Sequence, residues 1–493
     1  MTKYFFLFLF FCMSSFGFAQ SFTNSPNCVK AYNNIIALKI DSGKYFIAQE
    51  KRANPSNLYV LLLENYIDFL SIYTSGRSAE IELKQSTFDS RIKTIKNSNK
   101  TDSPYYLYIQ AEIQLQTAIL LVQNNEYLST VFYLRRALKL LEENVTKFPN
   151  FKPNKKSLGV LYSILGSVPD TFKTGLSVIG LNGDIKEGML MLKTLTADKA
   201  FEYQHETATI YAFMLLHLNN DKEGAWQVLK LNNFFYSASK MDAYSIGHIG
   251  IYGSHCDEGI LTLSTKVFPT TYIAYPLMDY MLGLGKTYRQ DKDANIYFAK
   301  FLKEFTGSDH IKSAYQKMAW NELLKGNSTK YYEYVGKIKS SGRSQIDADK
   351  QALKEVDNLT IPNKVLLEAR LLSDGNYTEK AYKLLSVYEE DFFLMPKDKA
   401  EFQYRLGRIQ EKKGNLDAAI LAYKKTMNQC IGIEAYFGAN ACYLIGNIYE
   451  RQKNNEKALE YYEKCSKMNG YEYNNSIMQK AKAGKNRVSK SMF

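Results

Sequence analysis

Apolar residues recur at three- and four-residue spacing along most of the chain, the signature of amphipathic helices. The pattern is clearest where Tyr106–Leu121 and Leu128–Leu141 read as the two arms of one long helical hairpin. Only 10 Pro interrupt the 493 residues, and the Gly residues are scattered rather than clustered at strand-length intervals. Both features favour helices over a sandwich or barrel. The chain is also too long for one compact core, so several domains or a repeat array are expected.

Two segments near the C-terminus repeat one another. Tyr404-Arg-Leu-Gly407 is followed by Gly414-Asn-Leu-Asp-Ala-Ala419 and Tyr423; Tyr443-Leu-Ile-Gly446 is followed by Asn454-Asn-Glu-Lys-Ala458 and Tyr462. In each copy a small residue precedes a second by twelve positions, and an aromatic follows four later. Two antiparallel helices need this spacing: Gly407 with Ala419, and Gly446 with Ala458, let the backbones approach while Tyr423 and Tyr462 fill the space beside them. Gly414-Asn415 and Asn454-Asn455 suit a turn between helices, because these residues tolerate left-handed backbone. Weaker copies run upstream: Leu366–Ala369 with Gly375-Asn376 and Ala381, Ala319-Trp320 with Gly326-Asn327, Leu282-Gly283 with Ala294 and Phe298, and Leu215 with Ala225.

The spacing resembles the tetratricopeptide repeat. That resemblance implies an all-α fold, an α-α superhelical solenoid over 201–493 that is clearest at 400–430 and 439–469, preceded by an irregular helical region over 20–200. Gly175-Leu-Ser-Val-Ile-Gly180-Leu-Asn-Gly183-Asp184 followed by Glu187 also resembles, more weakly, the hinge of the tetratricopeptide-repeat 39 and inclusion-body-clearance family, as does Tyr471-Glu-Tyr473 before a last basic helix. Read from the residues alone, Asp184 and Glu187 form a capping box, and Gly180 and Gly183 free the preceding turn.

The first residues speak to compartment. Lys3, an apolar run from Tyr4 to Phe16, and small residues at Gly17 and Ala19 read as a signal peptide over 1–19, cleaved near Ala19. Leu9-Phe10-Phe11 before Cys12 fits a lipid-attachment box poorly. The Lys-, Asn-, Ile- and Tyr-rich composition points to a bacterium, so the expected location is the periplasm or cell exterior, with no membrane span. Five cysteines follow the leader: Cys28, Cys256, Cys430, Cys442 and Cys465. In an oxidising compartment a disulfide within the trio Cys430, Cys442 and Cys465, with Cys442 and Cys465 the candidate pair, would staple the C-terminal repeats; the alternative is three buried thiols.

The formal net charge of +13 is spread along helices, with modest excess at Lys152–Lys156 and Lys480–Lys490. It reads as solvated surface and not as a nucleic-acid site. Gly283-Leu-Gly285-Lys286-Thr287 ends like a phosphate loop but has Tyr280 where the first glycine belongs. His248 and His255 lie seven apart, and with Cys256 are the weak candidates for a metal site. No nucleophile signature occurs, and no cofactor is called for.

The expected role is a non-enzymatic scaffold holding a protein or peptide partner in a concave face. A nutrient- or glycan-binding envelope protein and a metal-dependent hydrolase using His248 and His255 are the alternatives. By resemblance, Tyr404, Arg408, Tyr443 and Asn447 face inward, with Arg405 and Arg451 nearby; Tyr and Arg there suit acidic extended peptides or a free C-terminus. Tyr404 and Tyr443 packing between neighbouring repeats is the competing reading.

Overall fold

A computed structural model describes residues 21–98, 100–168, 170–357, 361–468 and 474–491. The signal peptide expected at 1–19, Cys12, and Tyr471–Tyr473 lie outside the described residues. The described chain forms 25 α-helices, two short 3-10 turns and no β-strand, only an isolated bridge between Ser21 and Asn57.

The helices fall into two compact units. The first comprises residues up to Ser71, Ala79–Ser157 and Thr271–Ile273. It contains the hairpin legible from sequence, Pro104–Gln123 against Tyr127–Lys147. A buried ion pair sits in its core: Lys156 Nζ lies 3.1 Å from Glu112 Oε2 and 3.0 Å from the Tyr66 hydroxyl. Lys156 thus belongs to the interior, where its charge is matched by Glu112, and not to a solvated face.

The second unit comprises Ile72–Ser78, Leu158–Thr270 and the chain from Ala274 onward. Residue 200, read from sequence as the edge of the repeats, lies inside it. Asp184 caps helix Ile185–Ala197 by accepting from the Glu187 N–H at 2.9 Å. Gly180 adopts φ +78°, as a free turn requires, whereas Gly183 is needed for close approach: a Cβ there would stand 2.6 Å from the Tyr162 carbonyl.

Seven hairpins follow: Gln204–His217 with Lys222–Leu231, Lys240–Tyr252 with Cys256–Thr265, Leu277–Arg289 with Ala294–Glu304, Ile311–Leu324 with Ser328–Ser340, Lys364–Asp374 with Thr378–Leu385, Pro396–Lys412 with Leu416–Gln429, and Phe437–Arg451 with Asn455–Ser466. Helix Asp347–Asp357 stands alone between the fourth and fifth, and Asn474–Ser491 packs on the last hairpin.

The small residues do what their spacing implied. A Cβ on Gly407 would lie 2.6 Å from Tyr423 Cδ1, and one on Gly446 would lie 2.7 Å from Tyr462 Cδ1. Ala419, Ala458, Tyr423 and Tyr462 are fully buried beside them. The turns differ in detail. Gly326 and Gly414 take left-handed backbone, but in the other two hairpins Asn376 and Lys453 do so, leaving Asn454 to cap the next helix through the Lys457 N–H at 3.2 Å. A further copy went unread: Gly247, Gly259 and Leu263 repeat the twelve-then-four spacing, with Leu263 atoms 2.5 Å from where a Gly247 Cβ would be.

Candidate functional site

A groove in the second unit encloses about 680 Å³, and ten of its 22 lining residues come from the first helices of four hairpins. Gln316 and Trp320 come from Ile311–Leu324, Leu367 and Arg370 from Lys364–Asp374, Glu401 and Arg405 from Pro396–Lys412, and Phe437 and Asn440 from Phe437–Arg451. The lone helix adds Asp347, Gln351, Lys354 and Glu355, the last helix Ser476, Ile477 and Lys480, and loops the remainder; no lining residue comes from the second helix of a hairpin. The packing explains this division. Second helices spend their small residues and aromatics inside each hairpin, which leaves the first helices to stack side by side and present one continuous inner face.

Trp320 anchors the groove. Lys317 Nζ lies 3.8 Å and the Arg370 guanidinium 4.9 Å from the ring, and the indole N–H donates to Glu355 Oε1 at 2.7 Å. Glu355 also accepts from Gln316 Nε2 at 2.9 Å; burial nevertheless raises its carboxyl pKa above the usual value. Arg405 is only 7% exposed, pairs with Glu401 at 2.6 Å and lies over the Tyr404 and Phe437 rings. Burial works against the charge of Arg370, Arg405 and Arg408, but surrounding tyrosines and carboxylates outweigh it and hold all three guanidiniums above their ordinary pKa. Ile361 and Met395, both more than half exposed, form an apolar rim.

The residues expected to face inward divide. Arg405 lines the groove. Tyr404 is 4% exposed and packs between repeats, its ring 5.2 Å from Phe437 and its hydroxyl accepting from Asn440 Nδ2 at 2.6 Å. Tyr443 is half-buried against Tyr462 at 6.0 Å, and Asn447 accepts from the Tyr462 hydroxyl at 2.7 Å. Arg408 is half-buried beside Tyr404 and Tyr423, and Arg451 reaches Glu411 at 2.6 Å. Trp320, Arg370 and Asn440 were not foreseen; Trp320 and Arg370 sit on the degenerate repeats, where register is hard to read.

Three other features of the sequence find their places. His248, His255 and Cys256 do not converge on a metal. His248 faces His217, with Nε2 atoms 2.9 Å apart, and its Nδ1 lies 3.3 Å from the Tyr244 hydroxyl. The two ring centroids are 5.1 Å apart, so the nitrogens point head-on as in a shared-proton hydrogen bond instead of converging on a third point. His255 stacks on Trp226 at 4.2 Å and bonds Glu223 at 3.0 Å, while the Cys256 thiol turns toward the Gly285 carbonyl. Cys442 and Cys465 are neighbouring free thiols and not a disulfide, each sulfur bonded to a main-chain carbonyl, of Tyr461 and Ala439 respectively. Gly283–Thr287 lies within a helix, where Lys286 pairs with Asp293 at 2.7 Å.

Residues 400–432 and 439–471 each match the family model for the tetratricopeptide repeat. These hairpins are tetratricopeptide repeats. No curated protein matches the chain. The matched segments do not reach 175–188, on which the second resemblance rested. Tetratricopeptide repeats serve as protein-binding scaffolds, and their all-helical fold is typically non-enzymatic. No described helix is long and apolar enough to cross a membrane.

Proposed function

We propose that this chain is an exported scaffold of the bacterial cell envelope that holds a segment of a partner protein along the inner face of its C-terminal repeats. The supporting observation is the groove of about 680 Å³ to which the first helices of four hairpins contribute, with Ile361 and Met395 as an exposed apolar rim and Arg370, Arg405 and Asn440 as directional donors. Such a mixture suits an extended polypeptide, whose side chains alternate and whose backbone needs donors and acceptors. A sugar would need open aromatic faces. Both tryptophans are nearly fully buried, Trp226 stacked on His255 and Trp320 crowded by Lys317 and Arg370, which weighs against the glycan-binding reading.

The export signal at 1–19 supports the compartment. Fractionation, with N-terminal sequencing of the mature protein, checks it: a chain starting at Gln20 outside the cytoplasm is expected, and an intact cytoplasmic chain refutes it. Photo-crosslinking in the native host checks the groove. A crosslinker at Asn440 is expected to trap a discrete protein adduct that one at Leu421, 59% exposed on a second helix, does not. Identical adducts from both positions would refute the assignment.

A further inference from the structure

Three helices of the first unit, Ala79–Asn97, Pro104–Gln123 and Tyr127–Lys147, enclose a second groove of about 530 Å³. One wall carries Lys93 and Lys96, the other Arg136 and Lys139, and the middle helix contributes Gln110 and Gln114. Each pair stands three or four residues apart and so shares one helix face. Among the described residues none of the four cations has an ion pair. The Arg136 guanidinium lies over the Phe132 ring at 3.6 Å, held there without a carboxylate. Two carboxylates reach the groove, Asp89 and Glu143, and Glu143 is already engaged by Lys147 at 2.7 Å. Four cations therefore face one free carboxylate. The middle helix supplies a second, independent observation. Gln114 is only 4% exposed, yet its amide makes no hydrogen bond among the described residues, and its Oε1 is buried without a partner. Two positions on, facing away from the groove, Gln116 accepts from Asn65 Nδ2 at 2.8 Å. An unpartnered buried amide is destabilising unless something else bonds to it.

We propose that this groove binds a small soluble molecule carrying two or more phosphate groups, clamped between the Lys93–Lys96 and Arg136–Lys139 pairs and bonded to the Gln114 amide. The volume is that of a small-molecule site. Within each wall the two cations are about 4.5 Å apart along the helix axis, so positive charge is concentrated on both sides of a short cleft. A single carboxylate or sulfate brings one negative charge and would leave most of it uncompensated. A phosphate monoester brings nearly two, with three acceptor oxygens that suit both the ammonium groups and the guanidinium fork. The Gln114 amide then gains the partner that the protein itself does not provide. The site belongs to the first unit and does not depend on the scaffold reading, so either can fail alone.

The test is isothermal titration calorimetry of the full mature chain with sodium tripolyphosphate. Saturable binding at one site is expected, at least about tenfold tighter than inorganic phosphate and weakened about tenfold or more as salt rises from about 50 to 300 mM. Lys93→Gln with Arg136→Gln should weaken binding at least about tenfold, and both residues are exposed enough to be replaced without disturbing the core. Lys424→Gln with Lys425→Gln removes the same charge from exposed positions of helix Leu416–Gln429 and should change it less than about twofold. Gln114→Leu should weaken binding several-fold without lowering the melting temperature, since it removes an unpartnered buried amide. Asp89→Asn should strengthen binding several-fold, a gain that misfolding cannot produce. Equal losses from the two double variants, or no saturable binding, overturn the site. A single-stranded oligonucleotide or phosphatidylglycerol vesicles that displace tripolyphosphate from the wild type overturn the choice of a small soluble ligand.

Discussion

Gly407 and Gly336 make opposite predictions for the same substitution. Gly336 lies on the exposed side of helix Ser328–Ser340, and a Cβ there meets nothing within 4 Å. Gly336→Ala should therefore stabilise the chain by about 0.5–1 kcal/mol through helix propensity alone. At Gly407 the same methyl would stand 2.6 Å from both Tyr423 Cδ1 and Cε1, against a comfortable carbon separation of about 3.5–4.0 Å. The ring has little room to yield: Tyr423 is fully buried, 6.3 Å from the Tyr404 ring, and its hydroxyl is fixed to Glu411 at 2.7 Å. Overpacking of about 2–3 kcal/mol, less about 1 kcal/mol of propensity, leaves Gly407→Ala destabilising by about 1–2 kcal/mol.

Because a repeat array need not unfold in one step, the assay is hydrogen exchange resolved to peptides, alongside denaturant melts followed by circular dichroism. Gly407→Ala should accelerate exchange in Pro396–Lys412 and Leu416–Gln429 first. Adding Tyr423→Leu should recover part of the loss, giving a coupling energy of about 1 kcal/mol in a double-mutant cycle. A Gly407→Ala chain as stable as the wild type would refute the close-contact reasoning on which the repeat assignment was built.

Other outcomes test other parts of the molecule. Lys156→Met leaves Glu112 as an unmatched buried charge and should cost about 3–5 kcal/mol in the first unit, a loss that Lys156→Met with Glu112→Leu should largely reverse in denaturant melts. Burial lowers His310 to a pKa of about 4, below its unfolded value, so its contribution to stability is complete above pH about 6.5 and is lost as pH falls toward 4. His310→Asn keeps a side chain suited to φ +65° and should reduce the stability lost between pH 7 and 4.5 by about 2 kcal/mol; an unchanged pH dependence refutes this. Thiol titration of a chain lacking residues 1–19 should find five thiols after denaturation and almost none reactive before it, since all five are buried; a denatured count of three would restore the disulfide.

The repeat hairpins were legible because their signal is geometric. Gly407, Ala419 and Tyr423 stand at fixed offsets, and a Cβ at Gly407 would meet the Tyr423 ring. The Gly247–Gly259–Leu263 copy carries the same offsets, yet Leu263 replaces the aromatic and the intervening His248, His255 and Cys256 drew a metal reading instead. Spacing along a helix placed those three side chains on plausible faces, but their partners come from other helices: His217, Trp226 and Gly285. The groove was half legible for the same reason. Arg405 was found through the regular repeats, whereas Trp320 and Arg370 lie on hairpins whose small residues have drifted, and Glu355 lies on a helix outside any hairpin.

That asymmetry follows from how a hairpin array divides its work. The positions that close each hairpin are constrained from within, so they repeat and can be read. Those on the inner face touch neighbouring hairpins or nothing, so packing does not dictate them and they can differ from one repeat to the next. Here the groove residues Trp320, Arg370, Glu401 and Asn440 come from four hairpins and follow no common residue type. Burial lowers the Lys317 amine to a pKa of about 7, so replacing it by Met, which removes a poorly solvated charge, should leave the repeats at least as stable by denaturant melts. A stability loss above about 1 kcal/mol would mean instead that Lys317 serves the fold through its contact with Trp320.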